Sequence, residues 1–194
     1  TAWRGLMKGK ATGRELDVGG EIISILVRRA EGNRVEGALI VALPGDGFAF
    51  LERHGHMPLP PYIDREDADT DRDRYQTMFA QAPGAIAAPT AGLHMTPAIA
   101  EAMRARGITL ATVTLHVGWG TFAPIRVDDV REHKMHRERF VIGDEVIALV
   151  ASNRPIVVLG TTALRALESA ATGPKQLAAG SGATEMFVHP GSGH

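Results

Sequence analysis

Cysteine is absent from this 194-residue chain. Its absence removes disulfides, thiolate zinc sites and cysteine nucleophiles together, and it fits a cytoplasmic protein. No apolar run reaches the roughly 18 residues that a membrane helix needs, so no membrane partner is expected. An excess of charge of one sign is lacking too: 21 Lys and Arg stand against 22 Asp and Glu, a formal net charge of −1. A uniformly basic nucleic-acid coat is thereby excluded, but a local basic patch is not. The opening Thr1-Ala2-Trp3-Arg4 is no signal peptide and carries no initiator Met, so the chain is expected to begin within a fold. Internal repeats and low-complexity tracts are also missing.

What is present is ordinary globular material. The apolar fraction of 44% is enough for a core, and the length suits one or two domains. Residues 1–56 read as β-rich. Branched aliphatics fill residues 21–29, a second run covers 34–43, and Glu31-Gly32-Asn33 and Pro44-Gly45-Asp46-Gly47 supply turns. Short strands between glycine turns predict a small β-barrel domain over residues 1–56, with a short helix near 48–54. Pro58, Pro60 and Pro61 fix φ and remove backbone donors, so a stiff connector and a domain boundary are placed here.

Residues 57–194 change character and read as the α/β part, the catalytic domain. Short strands are expected at 85–88, 108–117, 155–159 and 184–188. Thr96 as N-cap and Pro97 at the first helical position start a helix over 97–106, which Gly107 stops. Further helices are expected at 145–151 and 162–171. Strand, helix and strand in succession make Rossmann-like βαβ units, so the fold class is α/β, or α+β across two domains.

In open α/β sheets, ligands bind beyond the C-terminal ends of strands. Three such ends carry unusual sequence. The first is Pro89-Thr90-Ala91-Gly92-Leu93-His94, whose small residues let a ligand approach the backbone. The second is His116-Val117-Gly118-Trp119-Gly120-Thr121-Phe122, a bendable backbone with aromatic surface. The third is Gly160-Thr161-Thr162, a strand-to-helix junction with free N–H groups that suit an anion. Each has a structural alternative: a tight turn, a hydrogen-bonded strand-end His, a core Trp. Repetition of the pattern at three strand ends is what favours a binding site. Tyr75-Gln76, behind Arg72 and Arg74, offers stacking and phosphate pairing, or a solvated helix with one buried Tyr. Lys8, Lys10 and Arg14 form a loose basic cluster that suits RNA backbone or plain surface.

His133 and His136 share a face if helical, which invites a metal-dependent hydrolase. The flanking residues look extended and no third ligand is evident, so no metal is expected. A Ser–His–Asp hydrolase is weaker still, because no serine sits in a nucleophile elbow.

Five ordered motifs carry a family resemblance. They are Gly55-His56-Met57-Pro58-Leu59-Pro60-Pro61-Tyr62-Ile63, Arg74-Tyr75-Gln76-Thr77, residues 87–96, residues 113–122 and residues 132–136. Together they resemble the S-adenosylmethionine:tRNA ribosyltransferase-isomerases of queuosine biosynthesis, from about Trp3 to Gly191. Met95 departs from the family's usual Phe, and Trp119 sits at a variable position. The resemblance implies a β-barrel domain inserted into a mixed α/β domain, with further segments at both ends. It also implies the reaction: ribosyl transfer from S-adenosylmethionine to a 7-aminomethyl-7-deazaguanine in the tRNA anticodon, with rearrangement to epoxyqueuosine and loss of adenine and methionine. S-adenosylmethionine is then a consumed substrate, no cofactor is required, and tRNA is the partner of a monomeric enzyme. The alternative is a catalytically idle RNA- or nucleotide-binding relative.

That chemistry needs a base beside the sulfonium and an acid for departing adenine. His94 and His116 are the candidates for both, since imidazole titrates near neutrality. Candidate substrate contacts are Tyr75, Gln76, Pro89, Thr90, Ala91, Gly92, Gly118, Trp119, Gly120, Thr121, Phe122, Arg126, His133, His136, Thr161, Thr162 and Arg165.

Overall fold

A computed structural model describes residues 2–6, 13–28, 38–122, 125, 127–133 and 135–192. The predicted contributions of Lys8, Lys10 and Arg126 lie outside the described residues, as does the Trp119 side chain. The chain divides into two compact units, Thr1–His56 and Met57–His194.

In the first unit, Gly19 and Gly20 adopt φ of 61° and 84° between two antiparallel strands. Two consecutive positive φ values match the right-handed twist of a two-residue hairpin, and glycine reaches them without a Cβ penalty. The strands they join are β2 (Glu15–Val18) and β3 (Glu21–Arg28); β1 (Ala2–Leu6) and β4 (Ala38–Ala42) complete a four-stranded antiparallel sheet in the order β1-β4-β3-β2. Asp46 caps helix α1 (Gly47–His54) through Phe48 N–H at 3.0 Å. Trp3 packs on Gly47, where a β-carbon would meet Nε1 at 2.2 Å, and edge-on to Phe48. His54 and Arg53 both reach Glu21, tying the end of α1 to the hairpin. The expected helix is present. The sheet is open among the described residues, so closure into a barrel is not part of what they show.

The second unit opens with the proline segment and then α2 (Asp71–Arg74). Asp71 is buried and receives both Arg65 Nη atoms, at 2.6 and 2.8 Å, together with Ala68 N–H. Helix α3 (Pro97–Ala105) begins as its sequence dictates: the Thr96 hydroxyl accepts from Ile99 N–H at 3.2 Å, and Gly107 follows the end at φ 77°. A three-stranded antiparallel sheet, β5 (Thr114–His116), β6 (Glu138–Ile142) and β9 (Gly180–Thr184), is covered by α4 (Asp144–Ala151) and α5 (Gly160–Ala170). The hairpin β7 (Ala171–Gly173) and β8 (Gln176–Leu177) follows α5. Leu115, Val117, Phe140, Ile142, Val146, Ala166 and Ala170 form the buried core between sheet and helices.

The architecture is mixed helix and antiparallel sheet. The described strands pair antiparallel, so the expected parallel βαβ units are not among them. Three strand expectations need correction. Residues 85–88 form no strand, although Ile86 N–H donates to Val117 at 2.8 Å. Residues 155–159 are not a buried strand: Val157 is 93% exposed, and no described strand pairs with them. The last strand runs over 180–184 rather than 184–188, because packing selects it: Gly182 lies opposite Phe140, whose Cζ is 2.3 Å from where a β-carbon would stand.

Candidate functional site

The motif 89–94 folds as a 3-10 turn, Thr90–His94, which Gly92 N–H closes onto the Pro89 carbonyl at 2.8 Å. Its seat is the segment after α2. Gly92 is buried against Thr77, whose Cγ2 would be 3.0 Å from a β-carbon. Tyr75 is 8% exposed and its phenol lies by the Ala88 backbone; burial pushes its pKa up, while the Ala88 N–H pulls the other way. Tyr75 therefore braces the approach to the turn and offers no open ring face. Gln76 is exposed, and its carbonyl accepts from Thr77 N–H. His94 ends the turn exposed to solvent.

Beside this turn stands the start of α5. Gly160, at φ 85°, comes so close that a β-carbon would fall 2.9 Å from Ala91 Cβ. Leu159 at the N-cap of α5 supplies no side-chain cap, and the first turn carries no acid. The N–H groups at Gly160, Thr161 and Thr162 thus lack an intrahelical acceptor next to a small-residue turn, an arrangement suited to an anion. The first and third sequence-predicted loops are adjacent.

The second loop is reached through β5. His116 is half-buried against Gly84, whose φ of 133° and lack of a β-carbon leave room for the ring. Beyond Val117, a second 3-10 turn spans Trp119–Phe122. Gly120 is buried under His136: a β-carbon there would lie 2.0 Å from His136 Cδ2. Phe122 packs on the core, while Thr121 is exposed. His133 is placed differently, with its ring 4.8 Å from that of Phe187. Among the described residues, no three His, Asp or Glu side chains assemble in a metal-ligating group.

Arg165 departs most from its expected setting. It is buried, donates through Nη1 to Glu138 at 2.6 Å and through Nε to the Met186 carbonyl at 2.7 Å. Glu138 is 2% exposed, and its other oxygen accepts from Gly118 N–H at 2.7 Å. Sequence reasoning passed over Glu138. Its signal was the alternation of β6: Glu138, Phe140 and Ile142 share the inner face, so the acid was bound to be buried with its neighbours. Thr77 was likewise missed as the seat of Gly92.

A cavity of about 300 Å³ lies elsewhere, lined by Val150, Ile156, Leu164, Leu167 and the β7–β8 hairpin. None of the candidate residues lines it. Its walls are mainly aliphatic, with Glu168, Lys175 and Gln176 among the lining residues.

The model of a family described as queuosine biosynthesis protein matches residues 3–194. A protein of Geobacter metallireducens named S-adenosylmethionine:tRNA ribosyltransferase-isomerase is 54% identical over 153 residues, 76% of this chain and 45% of that protein. One of the same name from Azoarcus sp. (strain BH72) is 56% identical over 146 residues, 73% of this chain and 42% of that protein. The chain spans less than half the length of these relatives. It belongs to the queuosine biosynthesis protein family.

Proposed function

We propose that this chain contributes the substrate site of an enzyme that moves the ribosyl group of S-adenosylmethionine onto 7-aminomethyl-7-deazaguanine in a tRNA anticodon. The ribose rearranges to an epoxycyclopentane, giving epoxyqueuosine, and adenine and methionine leave. The observation that carries this reading is identity above half to two relatives so named.

The geometry supports a division of labour. The small-residue turn Thr90–Gly92 and the uncapped start of α5 at Thr161 and Thr162 suit the methionine carboxylate or a tRNA phosphate. His94 and His116 handle protons: one removes a proton beside the sulfonium, the other supplies one to departing adenine. The turn Trp119–Phe122, with His136 packed on Gly120, forms a wall against a base or ribose. S-adenosylmethionine is consumed, so no cofactor is needed. The partner is tRNA bearing the precursor base, the enzyme acts as a monomer in the cytoplasm, and the finer fold is a barrel domain joined to a Rossmann-like α/β domain.

The test is adenine release on incubation with S-adenosylmethionine and precursor-bearing tRNA. Release that requires the precursor tRNA is the expected result. Binding of S-adenosylmethionine without release would make the chain an idle binding relative instead.

A further inference from the structure

Glu138 is the one acidic residue on the inner face of β6, and both of its oxygens are committed. Oε1 accepts from Gly118 N–H, and Oε2 from Arg165, with side-chain exposures of 1% for Glu138 and 9% for Arg165. Arg165 in turn holds the Met186 carbonyl, while its Nη2 is buried with no acceptor among the described residues. One carboxylate therefore joins β6, α5 and the entry to the Trp119–Phe122 turn. We infer that Glu138 is a positioning residue: it fixes the Gly118 backbone, and through it the turn that walls the substrate site.

Other contacts of this turn lie further along it. His136 covers Gly120, Phe122 enters the core, and Thr121 N–H returns to the Gly118 carbonyl at 3.2 Å. None of them restrains the Gly118 N–H, which stands where the chain leaves Val117 and begins to turn. A carboxylate is required at position 138 because two donors, Gly118 N–H and the Arg165 guanidinium, converge on it. An amide has one acceptor and two donors, so it satisfies one partner and opposes the other. The charge also compensates Arg165, whose burial without a counter-charge is costly. The same Arg165 lies on α5, whose first residue packs on Ala91. Glu138 thus couples the placement of the second turn to the helix whose start stands beside the first.

This inference rests on the assignment of the turn to the substrate site, and the experiment separates the two. Glu138→Gln is made in the full chain, and backbone hydrogen exchange over 118–122 is measured beside KM for S-adenosylmethionine and kcat of adenine release. Exchange there is expected to quicken about ten-fold. KM should rise about ten-fold or more while kcat falls less, since a misplaced wall weakens binding first. In Glu138→Gln with Arg165→Met, the amide oxygen is free for Gly118 N–H, and the exchange protection should return. Unchanged exchange in folded Glu138→Gln overturns the positioning role. Faster exchange with KM and kcat unmoved overturns the turn's place in the substrate site. Should Glu138→Gln not fold, Glu138→Asp keeps the charge for Arg165 but withdraws from Gly118 by one methylene, and the same readouts decide.

Discussion

The imidazole of His136 lies across the α-carbon of Gly120, leaving no room for a β-carbon: one would fall 2.0 Å from Cδ2. The pair therefore fixes each other, the glycine by having no side chain and the ring by covering it.

Gly120→Ala is expected to destabilise the fold by about 1–3 kcal/mol, the usual cost of forcing extra atoms into filled space. His136→Ala in the same chain should recover part of that loss, because the ring is gone while the β-carbon of residue 136, 2.9 Å from the new methyl, remains. Thermal unfolding of the two single variants and the double variant gives the coupling. Additive losses would show that the contact carries no energy.

His94 and His116 occupy different surroundings, one exposed at the end of a turn, the other half-buried against Gly84. His94→Ala and His116→Ala are each expected to lower adenine release by about 10²–10⁴-fold, the range for loss of a general acid or base. Because His94 is exposed, its replacement should leave thermal stability within about 0.5 kcal/mol. Unimpaired turnover in either folded variant would remove that residue from the proton-handling role.

Asp71 sets an acid limit on the second unit. Two Arg65 bonds and the Ala68 N–H hold its carboxyl well below the ordinary value of 3.8. On acidification the unfolded chain takes up this proton first. The stabilisation is complete above the ordinary carboxylate range and is lost as pH falls below about 4 toward the folded-state value. Asp71→Asn should lower the melting temperature at neutral pH and flatten its decline below about pH 4. An unchanged acid slope would place the sensitivity in other carboxylates.

Local signals were legible in the sequence. Thr96, Pro97 and Gly107 together specify α3 within a dozen residues, and the helix begins and ends where they place it. Glycine turns marked the small-residue loops, and two of the three proved to be neighbours through Ala91 and Gly160. What depends on distant partners was not legible. The strand at 180–184 exists because Phe140 fits over Gly182, a fact that β-propensity over GSGAT does not contain. Arg165 reads as a substrate contact until Glu138, 27 residues away, claims it. Tyr75 reads as a stacking ring or as one buried face, and its burial beside the Ala88 backbone selects the second.

The exposed run at 156–159 has a practical consequence for handling the protein. Ile156 and Leu159 are each 48% exposed and Val157 is 93% exposed, in a stretch that pairs with no described strand. Four consecutive aliphatic residues that no described strand pairs, and that carry no charge, are a template for intermolecular pairing. Concentrated samples should self-associate through this segment, visible as light scattering that rises steeply with concentration. Val157→Lys would place a charge at its most exposed point and should suppress the scattering while leaving the melting temperature unchanged.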